Sequence, residues 1–123
     1  MIRIDTDSPV PIYDQIKAGL RGLVTRGALR PGDQAPSIRT LALDLKVNPN
    51  TVARAFRELV LEGFLESRRG GGNFIAQEAR HRAKVGLKEV KDSLREALTM
   101  AKRGGLNWKD IEEVVRESKG AES

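Results

Sequence analysis

Arginines and short amide or hydroxyl side chains are the groups that read nucleic-acid edges, and this chain gathers them in three places. Arg39 stands near the start of one segment. Asn50, Arg54 and Arg57 recur at helical spacing on a second, with Thr51 beside them, and Arg68 and Arg69 precede three consecutive glycines on a third. An arginine can hold the O6 and N7 of a guanine with two hydrogen bonds, worth about 1–3 kcal/mol of discrimination, and Asn or Thr can reach other base edges. Arginines and backbone N–H groups also hold phosphates, and a helix N-terminus favours anions. Each group has a plainer use. Asn50 to Arg57 make an equally good solvated helix face with a cap, and "RRGGG" taken alone reads better as a solubilising turn. It is their coincidence on three consecutive elements that favours DNA.

The elements that must position them are legible from periodicity and breakers. Pro11 opens a first helix, since proline at a first helical position lacks only an N–H that would go unpaired anyway. Ile12, Ile16, Leu20 and Leu23 give it one apolar face, and Gly19 and Gly22 inside it read as places where another backbone approaches. Gly27 ends that helix and "LRPGD" is a turn. Ser37 caps a short second helix with an Ile38–Leu41–Leu45 stripe, which "KVN" breaks. Asn48 caps a third, whose first residue is Pro49 and which Gly63 closes. On a wheel, Val52, Ala55, Phe56, Leu59 and Val60 lie on one side of it, opposite Asn50, Ala53, Arg54 and Arg57. "FLESRRGGGNFIA" then alternates about a glycine-rich basic tip and reads as a β-hairpin, in which glycines allow close approach to a backbone or a minor groove. Two short helices joined by a tight turn and followed by a hairpin make a winged helix-turn-helix, a fold mainly α with one small hairpin.

Composition shifts after Ala76. Ala83, Leu87, Val90, Leu94, Ala97 and Ala101 recur at threes and fours along a long amphipathic helix, which "GGLN" breaks. Asn107 and Asp110 form a capping box for a last helix carrying Ile111, Val114 and Val115. The expected division is residues 1–76 as the winged domain and 77–123 as a two-helix region, with the Ala83–Ala101 stripe as its dimerisation surface.

Other chemistries are excluded or unsupported. Net charge is +5 over 123 residues, which tilts towards an anionic partner. With no cysteine there is no disulfide, thiol nucleophile or Cys-based zinc site. His81 is the only histidine, so no multi-histidine metal site can be built. The glycine run lacks the Gly-Lys-Ser/Thr of a phosphate-cradling loop, and no carboxylates form an acid–base pair. No catalytic residue, metal or cofactor is therefore expected, and no residue set designates an effector. Trp108 reads as a packing residue. No apolar run suits a membrane span, and "MIRIDTDSPVP" lacks the apolar stretch of a signal peptide, so the expected location is the cytoplasm.

"PIYDQI" at 11–16 and "GALRPGDQAPSIRTLALDLKVNPNTVARAFRELVLEGFLESRRGGGNFIA" at 27–76 resemble the DNA-binding domain of the GntR family of bacterial transcription regulators. The pattern is Pro-Gly-Asp, Pro-Ser-x-Arg, Val-Asn-x-x-Thr-Val, then Gly-x-Gly-x-Phe. The resemblance implies a homodimer on a pseudo-palindromic operator, touching DNA through the second helix, the recognition helix and the wing. By position it implicates Ser37, Arg39, Asn48, Asn50, Thr51 and Arg54, with the wing glycines Gly70, Gly71 and Gly72. Ala53 departs from the pattern, standing where relatives often carry a basic residue that helps read the operator, so their preferred sequence does not transfer. The short two-helix tail resembles the YtrA-type branch, which implies dimerisation through the tail and control of ABC-transporter genes. A repressor acting by operator occupancy is the expected function. The alternative is a winged-helix protein-interaction module that binds no DNA.

Overall fold

Pro11 stands just outside the first helix: α1 spans Ile12–Thr25, and Pro11 is its N-cap. The computed structural model describes residues 2–122. Ile16, Leu20 and Val24 are wholly buried along α1, with Ile12 and Leu23 packed at the margin. Gly19 makes room not for a backbone but for the side chain of Ile2, since a Cβ at Gly19 would stand 2.8 Å from Ile2 Cγ2. The nearest group to a Cβ at Gly22 is the side chain of Arg26, 3.1 Å away.

The helix-turn-helix forms as its caps require. α2 spans Ile38–Leu45, and its N-cap Ser37 accepts a hydrogen bond from the Thr40 N–H at 3.0 Å. Lys46 turns left-handed (φ 57°), and the Val47 N–H returns to the Ala42 carbonyl at 3.0 Å. α3 then spans Pro49–Leu61, with the Asn48 side chain accepting from the Asn50 N–H at 2.8 Å. Val52, Ala55, Phe56 and Leu59 form its buried face.

The wing is a two-stranded antiparallel sheet. β1, Leu65–Arg68, pairs with β2, Gly72–Ile75, in the register Leu65↔Ile75 to Arg68↔Gly72. Leu65 and Ile75 bury the base of the hairpin in the core. The segment after the Pro31–Gly32 turn adds a short third edge: Gly32 N–H donates to Ile75 O, Ile75 N–H to Asp33 O, and Ala35 N–H to Asn73 O, each at 2.8 Å. Sequence patterning shows only a turn there, because this pairing is made with residues far along the chain.

Two compact units emerge, Met1–Val85 and Gly86–Ser123. The first extends beyond the composition shift at Ala76 because α4, Ala79–Arg103, buries Ala79 and Ala83 in the same core as Phe56 and Phe64. Ala83 is thus spent inside the winged unit and is not part of an exposed tail surface. Farther along α4, Leu87, Val90, Leu94 and Ala97 are exposed and Ala101 is half-buried. α4 ends with the Leu106 N–H returning to Ala101 O at 3.0 Å. α5, Trp108–Glu122, starts at a reciprocal box, in which the Asn107 N–H donates to Asp110 at 3.0 Å and the Asp110 N–H donates to Asn107 at 2.9 Å. Ile111 is buried, whereas Val114 and Val115 are exposed. Trp108 lies at the surface, with the Lys102 ammonium 4.9 Å from its ring centre. Among the described residues no helix is long and apolar enough to cross a membrane.

An ion-pair network ties α1 to α3. Lys17 Nζ lies 2.9 Å from Glu58 and 2.6 Å from Glu62, and Arg21 also pairs with Glu62. Burial disfavours the Lys17 ammonium, but hydrogen bonds to Glu62 and Glu58 outweigh it and hold its pKa above the ordinary lysine value. Burial likewise opposes the Glu62 carboxylate, yet hydrogen bonds from Lys17 and Arg21 hold it below the usual range. Hydrogen bonds from Lys17 and then Arg54 hold Glu58 low as well. Depressed carboxylates contribute stability above their unfolded pKa that is lost as pH falls through the folded values. Lys17 contributes below its unfolded pKa and loses that contribution as pH rises through its raised one. The melting temperature should therefore fall as pH drops below about 4.5, and Glu62→Gln should flatten that acid limb. Melts followed by circular dichroism across the acid range test this. Identical limbs in the two proteins would show that Glu62 contributes nothing to it.

Candidate nucleic-acid interface

The first turn of α2, the N-terminal half of α3 and the tip of the β1–β2 wing supply the groups expected to meet DNA. Arg39 is exposed in the first turn of α2, away from buried Leu41 and Ala42. Ser37, just ahead of it, uses its hydroxyl locally: Oγ accepts from the Thr40 N–H and donates to Thr40 Oγ1 at 2.8 Å. On α3, Asn48, Asn50, Arg54 and Arg57 are exposed, and Thr51 and Ala53 are half-buried. Asn48 Oδ1 is committed to the helix cap, which leaves its NH2 group available as a donor. Pro49 and the Asn48 cap together start the helix abruptly: the Asn50 N–H is taken by Asn48 Oδ1 and the Thr51 N–H by Asn48 O, while the Asn50 side chain stands exposed.

The arginines differ in how they are held. Among the described residues Arg39, Arg57 and Arg69 form no ion pair. Arg54 is held twice: its Nε donates to Glu58 at 3.1 Å, and its guanidinium carbon lies 3.7 Å from the centre of the Tyr13 ring. Arg68 lies back along the wing, 4.0 Å above the Phe74 ring and 3.8 Å from Glu66. Only Arg69 and the glycines form the tip proper. Gly70 (φ 73°) and Gly72 (φ 85°) adopt the left-handed backbone that lets the chain reverse there. Gln34 braces the turn from outside the hairpin, donating from Nε2 to Gly71 O at 2.9 Å.

Sequence reasoning missed Tyr13, Lys17, Gln34 and Glu58. A signal existed for two of them. Glu58 follows Arg54 by four residues, the spacing of a helical ion pair, and Lys17 falls beside Ile16 and Leu20 on a buried face. Tyr13 and Gln34 act through long-range contacts that no local pattern announces. Among the described residues no group of three or more His, Cys, Asp or Glu is placed to hold a metal ion.

Residues 12–75, from the start of α1 to the end of the wing, match the bacterial regulatory proteins of the gntR family. The chain belongs to the GntR family. Its likeness to one GntR relative runs well past the winged unit: it is 36% identical to the HTH-type transcriptional repressor YtrA of Bacillus subtilis (strain 168), over 95% of this chain and 91% of that one. It is accordingly a YtrA-type GntR protein. The crystal structure of a transcriptional antiterminator from Listeria monocytogenes EGD-e superposes with a TM-score of 0.71 at 33% identity, covering 97% of this chain and 90% of that one. AraR(DBD), solved in complex with operator ORX1, matches with a TM-score of 0.56 at 28% identity, covering 61% of this chain and 96% of that one. The GntR relatives are named as transcription regulators, not enzymes.

Proposed function

We propose that this GntR protein is a cytoplasmic repressor that binds a pseudo-palindromic operator as a homodimer and controls transporter genes, as the YtrA-type tail implies. The carrying observation is that cations and amide donors from α2, α3 and the wing stand exposed on three successive elements, with Arg39, Arg57 and Arg69 forming no ion pair among the described residues. Phosphates would be held by Arg57 and Arg69, and bases read by Arg39, Asn50, Thr51 and Arg54. The winged unit would supply this surface, and the helical region after Val85 the dimer contact. The test is binding to duplex DNA across a salt series, because phosphate neutralisation makes log affinity fall linearly with log salt. No binding even at low salt would leave a protein-interaction module as the better reading.

Arg39→Ala should weaken binding to a duplex selected by the protein from a random-sequence pool by about 1–3 kcal/mol and leave a scrambled duplex less affected. Equal losses on both duplexes would reduce Arg39 to a phosphate contact.

A further inference from the structure

Arg54 differs from the other arginines of the interface in having two partners of its own, and those partners bear on how it acts. A carboxylate oxygen of Glu58 occupies its Nε, so the Nη1 and Nη2 donors at the far end remain. The Tyr13 ring lies against its flat face and removes its freedom to swing. Glu58 is itself held by Lys17, which also binds Glu62, so the tether is anchored to α1 and does not merely follow α3. Arg54, Lys17 and Arg21 are three cations against two carboxylates, Glu58 and Glu62, which leaves one positive charge spread over the network. Such a neutralised arginine is a poor phosphate counter-ion. A planar fork fixed in orientation with two donors outward is suited instead to the paired acceptors of a guanine edge.

We propose that Tyr13 and Glu58 are positioning residues that present Arg54 end-on to a base, making it a sequence-reading group and not a phosphate clamp. The inference rests on the DNA-binding reading above. Neither positioning residue touches DNA; each acts by sparing Arg54 the ordering cost it would otherwise meet on binding. Glu58 also sets the approach, because the side-on pair of Nε with Nη is already taken.

The experiment is a double-mutant cycle on a duplex that the wild-type protein selects from a random pool, with a scrambled duplex as reference. Tyr13→Leu removes the ring, Tyr13→Phe retains it, and Glu58→Ala removes the tether while Lys17 keeps Glu62 at 2.6 Å. Tyr13→Leu and Glu58→Ala should each weaken the selected duplex about three- to tenfold, the cost of ordering one long side chain. Tyr13→Leu should leave the salt slope unchanged, because Arg54 keeps both its charge and its Glu58 partner, and Tyr13→Phe should behave as wild type. In the Arg54→Ala background neither substitution should have any further effect. A selection repeated with Arg54→Ala should lose a guanine preference in each half-site.

If Tyr13→Leu and Glu58→Ala cost the same with and without Arg54, they are packing residues only and the inference fails while DNA binding stands. If Arg54→Ala itself leaves the selected duplex bound as before, Arg54 is no reader. If the wild-type protein selects no duplex, the DNA-binding reading fails and takes the inference with it. Should Tyr13→Leu fail to fold by circular dichroism, the Glu58→Ala cycle decides alone.

Discussion

Ala83→Asp should sharply lower the stability of the winged unit. Ala83 is 3% exposed and lies in the core that includes Phe56, Leu59 and Phe64. A carboxylate there must be ionised without a partner or held neutral against its ordinary pKa, and an uncompensated buried charge costs about 3–5 kcal/mol. Domains of this size have only about 5–15 kcal/mol of stability in total. The melting temperature should therefore fall by roughly 12–40 °C, given about 4–8 °C per kcal/mol for a domain of this size. Circular dichroism melts read it directly. A drop of only a few degrees would mean that the start of α4 can leave the core, which would return Ala83 to the surface the periodicity expected.

That contrast shows how far the sequence could be read. Ser37, Asn48 with Pro49, Gly63 and the Asn107–Asp110 box are local chemistry: each satisfies backbone groups within three residues of itself, and the structure places all of them as helix boundaries. The buried face of α3 was equally legible, because the spacing of Val52, Ala55, Phe56 and Leu59 admits only one side. Periodicity tells which face of a helix is apolar but not what covers it. The stripe on α4 therefore reads as one continuous surface, although its first member packs into the winged core and Leu87, Val90 and Leu94 do not. Gly19 failed for a related reason. A glycine signals that something comes close, and only the fold says that it is the Ile2 side chain.

At the interface the residue types were readable and their states were not. Arg39, Arg54, Arg57 and Arg69 look alike in a sequence, yet Arg54 alone of the four sits between a carboxylate and an aromatic ring. Arg68 was assigned to the tip but lies over Phe74, because in a strand pairing Arg68 with Gly72 and Glu66 with Phe74 its side chain has a diagonal aromatic neighbour on one side and a glycine opposite. The third edge of the wing, from Gly32 to Ala35, and the Gln34 brace join segments well apart in sequence, and no window of local pattern contains both partners.

Leu94→Asp should give a folded monomer that binds its operator poorly. Leu94 is 59% exposed, in line on α4 with Leu87 and Val90, which are 45% and 63% exposed. It lies three helical turns beyond Ala83, on the same side of the helix and outside the winged core. Small residues at Ala97 and Ala101 would let a second helix approach closely, and a two-fold pair would match the two-fold symmetry of a palindromic operator. Burying a leucine is worth roughly 1.5–3 kcal/mol, and both copies of Leu94 would lie at such a seam, so the lost burial alone comes to about 3–6 kcal/mol. At 1.4 kcal/mol per tenfold this weakens the dimer by about a hundredfold or more, before the cost of desolvating two carboxylates is added. Because Leu94 is absent from the core, an aspartate there should leave intact the winged unit that an aspartate at Ala83 destabilises. Sedimentation at micromolar concentration, with circular dichroism on the same sample, separates the outcomes. A folded monomer supports the seam, a persistent dimer moves the interface elsewhere, and an unfolded chain would assign Leu94 to the protein's own core.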